Sequence, residues 1–251
     1  MYGRNFSPSN LFLLLKKMFK TSLIIPTYNE EKNLLPLVEE IWSILDKEKI
    51  DLEFIFVDDN SPDGTGQAAE KLKDKFPVKV IHRAGKLGLG SAVIEGFNLS
   101  DRPYLGVMDA DLSHDPVIIN DMILSLGDND ISIGSRFKEG SVVEDRSIVR
   151  RMISGTGVFF TKLLTGANDP LSGYFFFNRD VISGLRLKTK GYKILLEILI
   201  KGRYEKVKEF PYTFRMRVHS HSKLNYKEYI LFIGQVIKYS FYKILIKKNG
   251  R

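Results

Sequence analysis

The sequence predicts an α/β protein with one mostly parallel central sheet, helices that flank this sheet, and further amphipathic helices at the periphery. Over the first ~130 residues, apolar runs of strand type alternate with segments whose apolar residues have helical spacing. The connections between them are short, as β/α units require. Each predicted strand in this part also ends in a polar cluster, which is typical of the ligand-binding edge of an open α/β sheet.

The alternation sets the order of the predicted elements. The first five strands are predicted at residues 21–26, 52–57, 78–81, 104–108 and 130–133. The helices between them are predicted at residues 31–45, 64–75, 90–99 and 116–126. After Gly140 the pattern indicates helices at residues 146–164 and 192–200, a strand at 173–177, extended chain at 204–214 and a long aromatic-rich helix at 225–246.

The composition excludes several classes of protein. Of 251 residues, 43% are hydrophobic and 27% are charged, which is typical of a globular chain and not of a disordered one. The absence of cysteine excludes disulfides, thiolate catalysis and cysteine-ligated metal sites. The formal net charge of +8 suits phosphate groups, nucleic acid or an anionic bilayer without choosing among them. No apolar run reaches the roughly 18 residues of a membrane span, and residues 11–15 are too short for a signal-peptide core, so we expect any membrane contact to be peripheral.

Polar clusters follow the first five predicted strands. They are residues 27–30, residues 58–60, His82-Arg83, Asp109-Ala-Asp111 and Ser135-Arg136. Because the carboxyl ends of parallel strands share one edge of a sheet, we expect these clusters to lie together and to bind a nucleotide. Loops are polar in most proteins, so one such cluster would mean little, but five clusters rich in aspartate and arginine favour the nucleotide-binding interpretation.

The pair Asp109 and Asp111 is the sharpest of these signals. Two carboxylates two residues apart at the end of a strand can point the same way. Mg²⁺ usually binds one or two carboxylates together with substrate phosphates, and such an ion would stabilise a departing diphosphate. Ser113 or His114 could complete or orient the ligand shell. The alternative is that the aspartates cap the helix that follows, but Asp115 can do this alone.

Two further loops carry weaker signals. Asp58 and Asp59 are adjacent carboxylates that repel each other unless something binds them, and a base, a ribose or the metal are the candidates. The segment Lys86-Leu-Gly-Leu-Gly90 precedes a helix, where glycines let backbone N–H groups approach an anion, although it is not a P-loop. Arginine forks match phosphate oxygens, and the candidate phosphate ligands are Arg136, Arg150, Arg151, Arg215 and Arg217.

Short motifs follow one another along most of the chain. The first four are residues 25–30, 57–65, 86–90 and 108–114. The later ones are Gly134-Ser-Arg136, Ser172-Gly173, Lys190-Gly-Tyr192 and Ser222-Lys-Leu224. In this order, over residues 20–228, they resemble the family 2 glycosyltransferases of the GT-A fold, and within that family the dolichol-phosphate (polyprenol-phosphate) mannosyltransferases. The resemblance implies the GT-A nucleotide-diphospho-sugar transferase fold.

The resemblance also implies roles for matching residues. The donor nucleotide would be bound by Pro26, Tyr28, Glu30, Asp58, Asp59, Lys86, Asp109 and Ala110. Mg²⁺ or Mn²⁺ would be bound by Asp109, Asp111 and Ser113, the last of which stands where some members of the family have glutamine. The acceptor phosphate would be bound by Arg136, Arg150 and Ser154, and Arg217 belongs to a loop that closes over the diphosphate. Catalysis would depend on Asp111, Arg136 and Arg217.

The activity that the resemblance implies is inverting transfer of mannose from GDP-mannose to the phosphate of dolichyl or polyprenyl phosphate. The product is a β-linked mannosyl-phosphate lipid for glycan assembly, formed without a covalent intermediate. One alternative is a UDP-glucose-dependent polyprenyl-phosphate glucosyltransferase or another family 2 enzyme. An alternative of another class is a non-catalytic nucleotide-binding protein. We expect no nucleic-acid partner, because carboxylates at the binding edge repel phosphates unless a metal intervenes.

The chain is expected to divide into an N-terminal extension at residues 1–19, a GT-A domain at 20–224 and a C-terminal amphipathic helix at 225–251. Residues 148–164 and 226–248 combine apolar faces with lysine or arginine, as interfacial helices on anionic lipid do. The alternative is that these helices cover the sheet or form an oligomer contact. The expected location is the cytoplasm, at the cytoplasmic face of a membrane, and a small membrane subunit stays open as a further partner.

Overall fold

Residues 18–144, 156–188 and 193–216, with the single positions 234, 239 and 242, are described by the computed structural model of the protein. The strands are β1 (Phe19–Thr27), β2 (Ile50–Asp58), β3 (Val78–His82), β4 (Tyr104–Val107), β5 (Ile131–Ser135), β6 (Val142–Val143), β7 (Phe175–Asn178), β8 (Val207–Pro211) and β9 (Thr213–Phe214). The α-helices are α1 (Glu31–Ile44), α2 (Thr65–Leu72), α3 (Leu89–Leu99), α4 (Ile119–Leu124), α5 (Thr156–Thr165) and α6 (Ile194–Lys201). Short 3₁₀ turns are at Pro116–Ile118, Ser125–Gly127 and Arg179–Ile182.

The central sheet has seven strands in the order β3-β2-β1-β4-β7-β5-β8. Strand β1 pairs in parallel with β2 and β4, β2 pairs in parallel with β3, and β5 pairs in parallel with β8. Strand β7 is antiparallel to both of its neighbours, β4 and β5. Strands β6 and β9 form a separate parallel pair. The predicted mostly parallel sheet is confirmed, and β7 is its exception.

The predicted elements match the observed ones closely in the first half of the chain. All five predicted strands are present, with bounds that differ by at most three residues. The predicted helix at 116–126 is divided into a 3₁₀ turn, α4 and a second 3₁₀ turn. Of the predicted helix at 146–164, the part up to residue 155 lies outside the described residues, and so does nearly all of 225–246. Among the described residues, no helix is long and apolar enough to cross a membrane.

The core lies on both faces of the sheet, because side chains alternate along each strand. Leu23 and Ile25 of β1 pack toward α1 and α4, whereas Ile24 packs toward α3 and α6. Phe54 and Ile55 of β2 divide between the two faces in the same way. Strands buried on both faces have apolar runs, here residues 23–25 of β1 and 54–57 of β2, and these runs made the two strands visible in the sequence. The rigid sheet that results holds the loops at its carboxyl ends.

One close approach in the sheet requires a glycine. Gly106 of β4 lies opposite Phe176 of β7. A Cβ atom at position 106 would come within 2.2 Å of two carbon atoms of the Phe176 ring. The ring therefore lies directly over the glycine, and both residues are buried at the centre of the sheet.

We predict that Gly106→Ala lowers the free energy of unfolding by about 1–3 kcal/mol, because the added methyl group forces the Phe176 ring out of its packed position. Urea unfolding followed by circular dichroism measures the change. Gly85→Ala is the matched control, since a Cβ atom at position 85 meets no atom within 4 Å. Equal stability of the two variants would show that the sheet accommodates the methyl group without strain.

Candidate active site

The loops that follow β1 and β2 are joined by hydrogen bonds at the edge of the sheet formed by the carboxyl ends of the parallel strands, which we call the carboxyl edge. The backbone N–H of Asn29 donates to the Ser61 hydroxyl at 3.0 Å. The N–H of Glu30 donates to the Thr65 hydroxyl at 2.8 Å. The Glu30 carboxylate in turn accepts a hydrogen bond from Asn33 at 2.7 Å. The predicted donor residue Glu30 is therefore fixed by the loop that begins at Asp58.

Asp58 stabilises the turn that follows it. One carboxylate oxygen accepts hydrogen bonds from the hydroxyls of Thr27 and Ser61, and the other accepts from the Ser61 N–H at 3.1 Å. The side chain is buried, so these three donors compensate for the loss of water around the carboxylate. The sequence indicated only a bound ligand as a partner for Asp58. The structure shows that its partners include Thr27 and Ser61 of the protein itself.

Asp59 also has protein partners. Its carboxylate forms a buried ion pair with Arg83, whose side chain is 4% exposed. The other oxygen accepts a hydrogen bond from the Gly88 N–H at 3.1 Å. One of the N–H groups that the sequence assigned to anion binding is therefore bound to a carboxylate of the protein itself.

Tyr28 and Lys86 meet at the mouth of this site. The Lys86 ammonium lies 4.1 Å from the centre of the Tyr28 ring, within the range of a cation–π interaction. Lys86 is exposed, and Tyr28 and Pro26 are partly exposed. The contact brings together two predicted donor-binding residues that are far apart in the sequence, and it places a positive charge over an aromatic ring.

Asp109 and Asp111 follow β4 directly, in a tight turn where Leu112 has φ +62°. One oxygen of Asp111 accepts hydrogen bonds from both the N–H and the hydroxyl of Ser113. Ser113 is fully buried, so it orients Asp111 from behind. The Asp109 side chain is 31% exposed, and a Cβ atom at Gly173 would come within 2.9 Å of its carboxylate. The Asp109 carboxylate thus occupies the space that the missing side chain of Gly173 leaves.

His114 supports Asp109. The N–H of Asp109 donates to Nδ1 of His114 at 3.3 Å, and Nε2 lies 3.9 Å from the Asp109 carboxylate. The imidazole is buried, stacks on Tyr174 and contacts the rings of Tyr212 and Phe214. The sequence proposed that Ser113 or His114 completes or orients the metal shell, and both residues contact one of the two aspartates.

The two aspartates fit a divalent cation that shares its ligands with a substrate. In the described part of the chain, no group of three or more histidine, aspartate or glutamate side chains could hold a metal ion alone. Asp109 and Asp111 therefore offer carboxylate oxygens, and phosphates and water would supply the rest, as is usual for Mg²⁺. Asp115 accepts from the Val117 N–H at 3.0 Å and caps the 3₁₀ turn, so the other two aspartates are not needed as caps.

Arg136 is held by Asp169. The Asp169 carboxylate accepts hydrogen bonds from the Arg136 N–H at 3.0 Å and from Nε and Nη2 at 2.7 Å each. Burial alone would raise the pKa of Asp169, but the Arg136 charge and its hydrogen bonds hold this pKa below its ordinary value. The same pairing raises the pKa of Arg136 against the opposing effect of burial. The guanidinium therefore has a fixed place at the end of β5.

Lys193 is a functional candidate that the sequence analysis missed. Its side chain is buried, with Nζ 3.5 Å from the Leu171 carbonyl oxygen. Burial, together with the charge of Arg136, lowers the pKa of Lys193 to about 7, while Asp169 and Asp109 act in the opposite direction. It adjoins the motif Lys190-Gly-Tyr192, but nothing in the local sequence indicates that this lysine is buried.

The remaining predicted arginines and Ser154 either lie outside the described residues or have protein partners. Arg150, Arg151, Ser154 and Arg217 lie outside the described residues. Arg215, a candidate phosphate ligand, is instead ion-paired with Glu40 and Asp115 at 2.8 Å each. Its guanidinium connects β9 to α1 and to the turn after the aspartate pair.

Comparison with known proteins assigns the family. The model of the family described as glycosyl transferase family 2 matches residues 22–186. The chain belongs to glycosyl transferase family 2. The chain is 42% identical over 230 residues to a dolichol-phosphate mannosyltransferase from Pyrococcus furiosus, with 88% of this chain and 64% of that protein covered. A dolichol-phosphate mannosyltransferase from Saccharomyces cerevisiae is 34% identical over 226 residues, with 86% of this chain and 85% of that protein covered.

Solved structures agree on the fold. A glucosyl-3-phosphoglycerate synthase from Mycobacterium tuberculosis, in complex with Mn²⁺, UDP-glucose and glycerol 3-phosphate, is similar with a TM-score of 0.66 and 17% identity. The likeness covers 96% of this chain and 86% of that chain. The same enzyme in complex with Mg²⁺ and UDP gives a TM-score of 0.65 at 17% identity. The likeness confirms the predicted GT-A fold.

We predict that Lys193 makes stability depend on pH. Its pKa falls from 10.5 to about 7 on folding, so the folded protein binds fewer protons than the unfolded chain between these values, and the lysine becomes less destabilising as pH rises. The free energy of unfolding of the wild type, minus that of Lys193→Met, should rise by up to about 1.4 kcal/mol per pH unit across this interval. Urea unfolding of both proteins at several pH values measures it. A difference that stays constant with pH would contradict the burial of a neutral lysine.

Proposed function

We propose that the protein transfers mannose from GDP-mannose to the phosphate of dolichyl or polyprenyl phosphate, with inversion at the anomeric carbon. The observation that carries the proposal is the match to two dolichol-phosphate mannosyltransferases over 86–88% of the chain. The chain spans 64% of the length of the first of these relatives. The mannosyltransferase activity is therefore our proposal for this chain. The arrangement of charge at the carboxyl edge supports the same reaction.

The donor nucleotide is proposed to bind where the loops after β1, β2 and β3 meet. Lys86 places a positive charge over the Tyr28 ring, and Pro26 and Glu30, two residues to either side of Tyr28 in the sequence, belong to the proposed set. Asp58 and Asp59 support this surface through their hydrogen bonds to the loops. The diphosphate then extends toward Asp109 and Ala110, at the end of the neighbouring strand β4.

Asp109 and Asp111 are proposed to hold Mg²⁺ or Mn²⁺ together with the donor diphosphate. When bound, the ion would take up negative charge that develops on the departing nucleotide diphosphate. The structural neighbours crystallised with Mn²⁺ or Mg²⁺ support the use of a divalent cation. Ser113 orients Asp111 through its hydroxyl and N–H, and direct contact of Ser113 with the metal stays a prediction.

The acceptor is proposed to bind on the basic side of the site. A phosphate monoester is already anionic near neutral pH, so it needs to be neutralised and aligned more than it needs a strong general base. Arg136 is suited to this task because Asp169 fixes its guanidinium through Nε and Nη2. Arg150, Ser154 and Arg217 complete the proposed set. The oxygen of the acceptor displaces the diphosphate directly, and no covalent intermediate is needed.

The lipid acceptor implies that the protein works at a membrane surface, at the cytoplasmic face in our proposal. Helix α5 carries an exposed apolar residue, Leu163, which is 72% exposed. Lys162 on the same helix lies 5.5 Å from the centre of the Phe137 ring. Apolar and basic side chains in succession suit an interface with anionic lipid. Two further expectations stay predictions. They are the division of the chain into residues 1–19, 20–224 and 225–251, and a membrane subunit as a partner.

An activity assay tests the proposed function. We expect radiolabelled mannose to move from GDP-mannose into an organic-extractable lipid when polyprenyl phosphate and Mn²⁺ are present. UDP-glucose in parallel, and each donor without acceptor, are the controls. Labelled lipid from UDP-glucose alone would replace mannose with glucose in the proposal, and no transfer from either donor would contradict a glycosyl-phosphate lipid product.

We predict that Asp111→Asn lowers the transfer rate by at least about 100-fold, because stabilisation of the leaving group by the metal is worth several kcal/mol. Asparagine keeps an oxygen for the hydrogen bonds from Ser113, so the fold should persist. The rate of mannose transfer as a function of Mn²⁺ concentration is the measurement. Asp121→Asn, an exposed position on α4, is the control. An active Asp111→Asn variant with an unchanged metal requirement would refute the metal assignment.

A further inference from the structure

We propose that Arg83 and Asp59 form a positioning pair that sets the glycine loop, defined here as residues 84–88, and thereby governs the affinity for the donor nucleotide without contacting it. The proposal rests on the proposed function and deepens it, because it identifies how the donor side of the site is held in place. In this view Asp59 acts through the loop, and Lys86 and Tyr28 contact the nucleotide.

Arg83 is buried between the glycine loop and helix α3. Its backbone N–H donates to the Asp58 carbonyl oxygen at 2.9 Å, which fixes it beside the end of β2. Its guanidinium contacts the loop through Nη1. This atom donates to the Asp59 carboxylate and, at 3.3 Å, to the Gly88 carbonyl oxygen. Nη2 donates to the Ser91 hydroxyl at 2.7 Å. One side chain thus connects the end of the strand, the loop and the first turn of the helix.

Asp59 completes the connection from the other side. Its second oxygen accepts the Gly88 N–H at 3.1 Å, so both the N–H and the C=O of Gly88 are bound by members of the pair. Gly88 has φ +101°, in the left-handed region that favours glycine. The pair therefore holds both backbone polar groups of Gly88 in one of the several conformations that are open to glycine.

The conformation of Gly88 also affects the position of Lys86, which belongs to the proposed nucleotide-binding surface. Lys86 precedes Gly88 by two positions, and its ammonium lies 4.1 Å from the Tyr28 ring centre. Lys86 and Leu87 are exposed, the latter by 59%, so they have few contacts of their own to hold the loop. We infer that the buried pair keeps Lys86 over Tyr28 before the nucleotide arrives, which reduces the entropy lost on binding.

A purely stabilising role is the competing explanation, because breaking one side of a buried ion pair leaves an uncompensated charge. Arg102 provides a matched comparison. Its side chain is 17% exposed, pairs with Asp51 at 2.9 Å and lies 3.4 Å from the carboxylate of the buried Glu53. It lies next to the start of β4, at the opposite edge of the sheet. A variant at Arg102 should lower stability in the same way, but it should leave donor binding unchanged.

The test measures calorimetric affinity for GDP and for UDP, together with KM and kcat for transfer. The variants are Arg83→Lys, Arg83→Met, Asp59→Asn, the double variant Asp59→Asn/Arg83→Met and the control Arg102→Met. For Arg83→Met and Asp59→Asn we expect nucleotide affinity to fall and donor KM to rise by about ten-fold or more, with acceptor KM and kcat changed little. Arg83→Lys should recover part of the loss, since lysine keeps the charge opposite Asp59 but not the fork to Ser91.

The double variant distinguishes indirect from direct action. If the two residues act as one unit, it should bind nucleotide no more weakly than the worse single variant. Additive losses would show that Asp59 contacts the nucleotide independently, and they would overturn the proposal. Unchanged affinity with reduced thermal stability, as expected for Arg102→Met, would also overturn it.

Gly88→Ala provides a second route that leaves both charges in place. The side chain strains the backbone at φ +101°, so the loop must move although Arg83 and Asp59 remain. We expect the same loss of nucleotide affinity, and an unchanged affinity would contradict the role of the loop. Nucleotide binding is measured without sugar or acceptor, so it tests the positioning pair independently of the proposed function. If the wild type transfers no mannose but the variants lose nucleotide affinity as expected, the proposed function is rejected and the positioning pair is retained.

Discussion

The site depends on protein partners for four buried aspartates. Burying a carboxylate without partners is expensive, and each of these residues has a specific solution. Asp58 accepts from the turn that follows it, Asp59 pairs with Arg83, Asp111 accepts from Ser113, and Asp169 pairs with Arg136. The same contacts that stabilise the charges define the shapes of the loops, so the electrostatic requirement and the geometry of the carboxyl edge have one origin.

Charge divides the site into two sides that meet at one loop. The acidic side is Asp109 and Asp111, which follow β4. The basic side is Arg136, which follows β5, with Lys193, which precedes α6, and the charge of Asp109 acts on both basic groups. The loop between α5 and β7 serves both, because Asp169 fixes Arg136 while Gly173 makes room for the Asp109 carboxylate. Ser172 connects this loop to β5 by donating to the Gly134 carbonyl oxygen at 2.7 Å. A cation beside the aspartates and an anion beside the arginine would each find a complementary field, which is the arrangement that transfer from a diphosphate to a phosphate needs.

The strands and the polar residues at their ends could be predicted from the sequence, because both depend on residues that are close together in the chain. Buried parallel strands are apolar on both faces, so the apolar runs in the second halves of β1 and β2 stand out, and each run ends where polar residues begin. The shared edge of a parallel sheet then predicts that Glu30, Asp58 and Asp109 lie near one another. The resemblance in ordered motifs added the family, which the family model over residues 22–186 confirmed.

Other features were decided by the tertiary structure alone. The sequence could place Asp59 and Arg83 after strands, but that they are buried partners depends on the parallel pairing of β2 with β3, which brings the two strand ends together. It showed Arg215 and Arg136 as similar arginines, whereas the fold pairs one with Glu40 on α1 and the other with Asp169. Lys193 had no local signal, because its pKa depends on burial and on charges contributed by residues far away in the chain. The sequence by itself determined the strands, the helices and the chemical types at their ends; the partners of each charge were decided by tertiary packing, since burial and Coulomb energy depend on distances in space and not on separation along the chain.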